Sequence, residues 1–326
     1  MGKIVSFDYI RAISIICIIL CHCCYGITGM NFMGQFLGNT FNIIFLALSA
    51  FLIGLSWQKN SYPKYGFSFI TKRLWKLAKT YYPFIIMMFA FLAYTGYSTS
   101  IKDWGMYLLF LPWFDKIPGF GHLWFITMIM FCYFAIFTIT RLPKVVVKKC
   151  KTGGILLLIA IASQMIIGKI GLPNYILIYL ILYIYVFINA EKILNLIDRI
   201  PLKSSIFWGI SITIAIILLF YFKTQNEYTG KWCGIISAFA IFAILIKLFK
   251  NSKKNVIIGY ISTISFELYL VHHVFCFGKY SLFHFIPNPI LGTIAVFVTS
   301  FTLATMLHYI CKYIMRIPMC KIEAKR

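Results

Sequence analysis

The chain has 326 residues, 61% of them hydrophobic and only 12% charged, about half the charged share of an ordinary soluble domain. This composition excludes intrinsic disorder and argues against a soluble globular fold. A net charge of +23 would by itself point to a nucleic-acid binder, but the apolar content points to a bilayer as the solvent, with no nucleic-acid partner.

A membrane span needs about 20 mostly apolar residues. Ten segments meet that need: 8–28, 36–57, 79–97, 122–140, 153–170, 173–190, 204–222, 232–249, 257–278 and 289–315. The first carries Asp8 and Arg11 and is followed by no small-residue cleavage site, so it reads as a retained span and not a signal peptide. A polar stretch over about 58–79 precedes the third. Between the third and fourth, segment 103–121 is aromatic but broken by Pro112, Pro118 and Gly119, which suits an interfacial or re-entrant position. The fifth and sixth are short and meet at Gly171-Leu172-Pro173. The expectation is an all-α polytopic membrane protein, one transmembrane domain over 1–326 with no fused soluble domain.

The ten cysteines form no CxxC pair, and most lie in apolar runs where Cys is a small hydrophobe. No disulfide framework and no metal site are expected.

Alternating ten spans puts both termini on one side. That side collects 25 of the 31 Lys and Arg, and the other holds six: Lys102, Lys116, Lys169, Lys223, Lys231 and Lys279. The positive-inside rule makes the rich side cytoplasmic.

Ionisable residues within spans are costly and by default functional. On this topology His22, His122, His272 and His273 share one depth, in the outer half, on three helices. His308 falls toward the inner end of the tenth span. Arg11 and His22 are eleven residues apart, about 20° beyond three full turns, so both face the same way roughly 16.5 Å apart along the axis. Asp8, three residues before Arg11, can pair with it. A basic stretch, Lys72, Arg73, Lys76 and Lys79, leads into the third span. The planar guanidinium of Arg73 suits phosphate, and with Arg11 it would form an anion site at the cytoplasmic mouth. Glu267 lies five residues before His272, roughly 140° away on a helix, so the two need not touch.

Five of these stretches resemble a known family, acyltransferase-3. Asp8-Tyr-Ile-Arg11, then ten residues and His22, is similar to its R-x10-H signature. IFLALSAFLIG (44–54) resembles its FFxLSGFLI segment, with Ala50 for the usual Gly. FITKRLWKLAKTYYP (69–83) resembles its basic stretch, GHLWFI (121–126) its HLWFL segment, and ISFELYLVHH (264–273) its SYxIYLIH segment. They come in the family's order.

The resemblance implies a membrane O-acyltransferase of the bacterial cytoplasmic membrane. It would carry an acyl group, most often acetyl, from cytoplasmic acyl-CoA to a hydroxyl of a surface glycan or its lipid-linked precursor. By matched position Arg11 and His22 inherit the catalytic pair, with Asp8 beside Arg11. Arg73, with neighbouring Lys72 and with Arg11, inherits contact with acetyl-CoA. Ser49, His122, Trp124, Glu267, Tyr269 and His272 hold motif positions with no role attached. Acyl-CoA, the glycan or lipid-linked sugar and membrane lipid are the expected partners, and oligomerisation is open. The rival readings are a polytopic exporter of a glycan or small solute, acyl transfer to a non-glycan acceptor, and a membrane pH sensor.

Overall fold

A computed structural model describes residues 5–314 except 28, 62, 115–116, 118, 144–174 and 223–226. The expected span 153–170 lies outside the described residues, as do the Gly171-Leu172-Pro173 junction and Lys169. The described residues form helices and no strand. They are α1 Val5–Gly26, α2 Asn31–Lys59, α3 Phe67–Tyr94, α4 Ile101–Leu108, α5 Trp124–Ile139, α6 Tyr175–Ile188 and α7 Ala190–Arg199. Then come α8 Leu202–Tyr221, α9 Glu227–Phe249, α10 Val256–Thr263, α11 Ser265–Val271, α12 His273–Cys276, α13 Leu282–Phe285 and α14 Pro289–Ile314. Among them, seven helices are long and apolar enough to cross a membrane, or eight if the bent pair α6–α7 is one span. The protein is an all-α polytopic membrane protein.

Its surface is that of a protein solvated by lipid. Ile290, Ile294 and Val298 on α14 recur every four residues and are exposed, and so are Phe207, Trp208 and Ile214 on α8. In water such a stripe would need a partner. Thr40 and Ser237, whose hydroxyls meet at 2.7 Å, are by contrast buried between α2 and α9. The central helix is α1, whose Ile10, Ala12, Ile15, Ile18 and Ile19 are almost wholly enclosed.

Three elements depart from the expectation. First, α3 starts at Phe67, so the basic stretch is helical, not loop. Its 28 residues measure about 42 Å, more than the roughly 30 Å hydrocarbon core, so the basic turns can extend beyond it. Second, α6 breaks after Ile188 and turns by 75° into the amphipathic α7, an orientation suited to lying along an interface. Gln58 of α2 bridges this break. Its amide donates to the Ile188 carbonyl at 2.6 Å and accepts from the Glu191 N–H at 2.9 Å, satisfying two backbone groups that the helix end leaves open. The helices touch there because Gly54 has no side chain: a Cβ would stand 2.3 Å from the Phe187 carbonyl oxygen.

Third, the expected span 257–278 is not one helix. It is interrupted at Ile264 and at His272, giving α10, α11 and α12 in succession. This broken rod lies parallel to α1. Tyr9 pairs with the Lys253 carbonyl, Arg11 with Ser262 and His22 with His272. A common direction for the first and ninth spans is what strict alternation requires.

The described residues of segment 103–121, which do not include Pro118, contribute to α4 and to two 3₁₀ turns, Pro112–Phe114 and Gly121–Leu123. They pack on α3 through aromatics, of which Tyr81, Phe89, Tyr107 and Phe120 are buried. Tyr81 donates to the Tyr107 carbonyl and Tyr82 to the Leu108 carbonyl. Phe89 contacts the rings of Trp104, Tyr107 and Phe120.

Candidate active site

The polar side chains of α1 face the broken rod at two levels. At the lower level Arg11 Nη1 donates to Ser262 Oγ at 3.3 Å, and Ser262 Oγ donates to Asp8 Oδ1 at 2.8 Å. Ser262 therefore joins the acid to the arginine. In an unbroken helix Ser262 and His272 would point about 80° apart, yet with the interruption at Ile264 both meet α1.

Arg73 comes to this level from α3. Its guanidinium carbon lies 5.5 Å from the Phe69 ring centre and 5.7 Å from that of Tyr133 on α5. Both Arg73 and Arg11 act electrostatically on the buried Tyr133 hydroxyl, and Lys76 feels Arg73, Arg11 and Lys79. Several like charges thus crowd one end of the bundle, an arrangement that favours an anion. Lys72 stands exposed one position round the helix. Ser49 of α2 meets Tyr183 of α6 at 3.1 Å between hydroxyls, and Tyr133 is also within its reach. Ser49, Tyr133 and Tyr183 thus extend the polar lining inward from Arg73.

At the upper level four histidines meet. The His22 ring centre is 4.9 Å from that of His272 and 4.8 Å from that of His273. His122 lies 5.4 Å from His272 and stacks on His273 at 4.4 Å. The shared depth legible in the sequence is here a shared cluster.

Backbone carbonyls fix the tautomers, because a carbonyl oxygen can only accept. His272 Nδ1 is 2.9 Å from the Leu268 oxygen, so it carries the proton and Nε2 is bare. His22 Nδ1 is 3.0 Å from the Ile18 oxygen and 3.0 Å from His272 Nε2, so it too carries the proton and shares it between them. The consequence is that the neutral His22 presents a bare, basic Nε2. His273 donates from Nδ1 to the Gly119 carbonyl at 2.8 Å, and His122 from Nε2 to the Leu270 carbonyl at 3.0 Å. His122 Nδ1 is buried with no hydrogen-bond partner. Tyr269 donates to the His122 carbonyl, which ties the HLW turn to α11. Trp124 packs its ring on Trp113 and Tyr179. Among the described residues no group of three His, Cys, Asp or Glu is placed to hold a metal ion.

Glu267 belongs to neither level. It is buried, and His308 Nδ1 of α14 lies 2.9 Å from its Oε1. The structure thus brings together Asp8 with Arg11, Arg11 with Arg73 around Tyr133, and His22 with His122 and His272. It sets Lys72, Trp124 and Glu267 apart. Sequence reasoning passed over Ser262, Tyr133 and Tyr183 as site residues.

A family model described as an acyltransferase domain matches residues 4–309. No curated protein and no solved structure matches the chain.

Proposed function

The chain belongs to the acyltransferase-3 family and is a membrane acyltransferase; from that premise we propose that it transfers acetyl from acetyl-CoA to a hydroxyl of a surface glycan or its lipid-linked precursor. The observation that carries the proposal is the bare Nε2 of His22, with its Nδ1–H held by Ile18 and His272. A general base must be oriented as well as basic, and an imidazole held at Nδ1 offers its other nitrogen to the substrate, the logic of a histidine fixed by a third group.

In the proposed step His22 Nε2 takes the proton of the acceptor hydroxyl while its oxygen attacks the thioester carbonyl. The C–O bond forms, the C–S bond breaks, and the proton passes from the imidazolium to the departing CoA sulfur. The cationic end supports binding of the donor. Arg73, Lys76 and Arg11 would hold the CoA phosphates, with Arg73 supplying the planar fork. The pantetheine arm would then run along α1 toward His22, a rise of roughly 16.5 Å. The 25-to-6 distribution of Lys and Arg supports a cytoplasmic basic end, where CoA resides; the family resemblance suggests a bacterial cytoplasmic membrane as the location.

The test is the acetate content of the surface glycan in cells carrying His22→Ala at normal protein level. Loss of acetate is expected, and normal acetylation would sink the proposal.

A further inference from the structure

Beside the histidine cluster, at the end of the bundle away from Arg73, lies a pocket of about 250 Å³ that the proposed chemistry has not yet used. Its walls come from the last turns of α3, the turn after it, Gly119-Phe120 and the segment 274–280. On α3, Phe91 is 18 residues beyond Arg73, about 27 Å along the axis, so pocket and basic cluster lie at opposite ends of one helix.

Three features define what it would hold. Its lining is aromatic: Phe91, Tyr97, Phe120, Phe277 and Tyr280, with Phe91 and Tyr280 ring centres 4.9 Å apart and edge-on. Its rim carries Lys279, whose ammonium is 5.9 Å from the Tyr280 ring centre. And it shares a wall with the base. Phe277 lines the pocket and also contacts the His22 ring at 5.9 Å and the His273 ring at 4.9 Å, while the Gly119 carbonyl on its edge holds His273. The turns at Gly119 and Gly278 adopt φ of +87° and +81°, which side chains resist, so both turns call for glycine.

The geometry points to this pocket as the acceptor subsite, holding a pyranose ring that bears an acidic group. The polarised C–H face of a pyranose suits the electron-rich face of Tyr or Phe, and Lys279 would meet a carboxylate or phosphate on that ring. A ring lying on Phe277 would be one side chain away from His22, which does not itself line the pocket. This assignment rests on the acyl-transfer reading for its purpose, but its binding step can be measured without transfer.

Saturation-transfer NMR titrations of methyl glucuronide and methyl glucoside would use the purified full-length protein in detergent, without acetyl-CoA. The glucuronide should bind more tightly than the glucoside. Tyr280→Ala should weaken both about tenfold, and Tyr97→Ala should act in the same direction. Lys279→Gln should bring the glucuronide down to the glucoside by about threefold. A pocket variant counts only if its thermal unfolding matches the wild type. Absence of binding to the wild-type protein, or binding indifferent to both tyrosine variants, overturns the subsite. Equal affinity for the two glycosides overturns its acidic preference. Binding that follows this pattern in a protein that transfers no acetyl would keep the pocket and count against the acyl-transfer reading.

Discussion

His272 Nε2 lies 3.0 Å from His22 Nδ1 and can only accept, because its own Nδ1–H is committed to the Leu268 carbonyl. His272 is therefore a positioning residue for His22. His272→Ala should lower kcat about 10²-fold through loss of orientation, with little change in KM for acetyl-CoA, whose proposed site is at the far end. His272→Gln, whose amide oxygen can accept the same proton, should recover part of the rate. A rise in acetyl-CoA KM without a fall in kcat would contradict this role.

Arg73 and Lys72 are neighbours in sequence with different prospects. Arg73 is half-buried among Phe69, Tyr133 and the other cations, whereas Lys72 is exposed. Arg73→Ala should raise the acetyl-CoA KM by about 10- to 100-fold, the range for a charge-assisted contact. Arg73→Lys should recover only part of it, for lack of the planar fork. Lys72→Ala should stay within about twofold, as exposed charges do. Steady-state kinetics against acetyl-CoA distinguishes the two. Equal effects would place the phosphates elsewhere on the helix.

Gln58 tests the fold away from the chemistry. Its side chain satisfies the Ile188 carbonyl and the Glu191 N–H at the 75° break. Gln58→Leu should leave both without that partner and cost about 2–4 kcal/mol, at roughly 1–2 kcal/mol per buried polar group. Gly54→Val, at the contact with Phe187, should destabilise at the same junction. Thermal unfolding in detergent, followed by circular dichroism, reads both. An unchanged Tm for Gln58→Leu would mean that the break is held by other contacts.

The residues legible from sequence share a physical property: they sit on a regular helix or in a pattern that depth alone can reveal. Arg11 and His22 lie on α1, an uninterrupted helix, so counting residues was enough to place both on one face. The four histidines could be brought to one depth because span positions are set by hydropathy. Ser262 was not legible because its direction depends on the break at Ile264, in a stretch with neither glycine nor proline next to it. Tyr133 and Tyr183 look like ordinary bulk within apolar runs, and only the packing of α5 and α6 against α2 turns their hydroxyls toward Ser49 and Arg73. The bend after Ile188 is anchored by Gln58, 130 residues away in the chain, a partner no local pattern can supply.

Glu267 provides the sharpest separation of structure from chemistry. Its carboxylate is buried against His308 and points to α14, away from the His22 cluster, so its matched motif position reflects how the broken rod is held. In that role what matters is an acceptor for the His308 Nδ1–H, and a carboxamide oxygen can serve. Glu267→Gln should therefore keep transfer within about threefold of wild type, the loss being that of a charge-assisted hydrogen bond traded for a neutral one. Glu267→Ala should lower the Tm, because it leaves the imidazole N–H half-buried without its partner. Both variants are to be assayed for labelled-acetyl transfer and for thermal unfolding. Loss of transfer in Glu267→Gln at an unchanged Tm would show that the negative charge itself serves the reaction, and would move Glu267 from the scaffold into the chemistry.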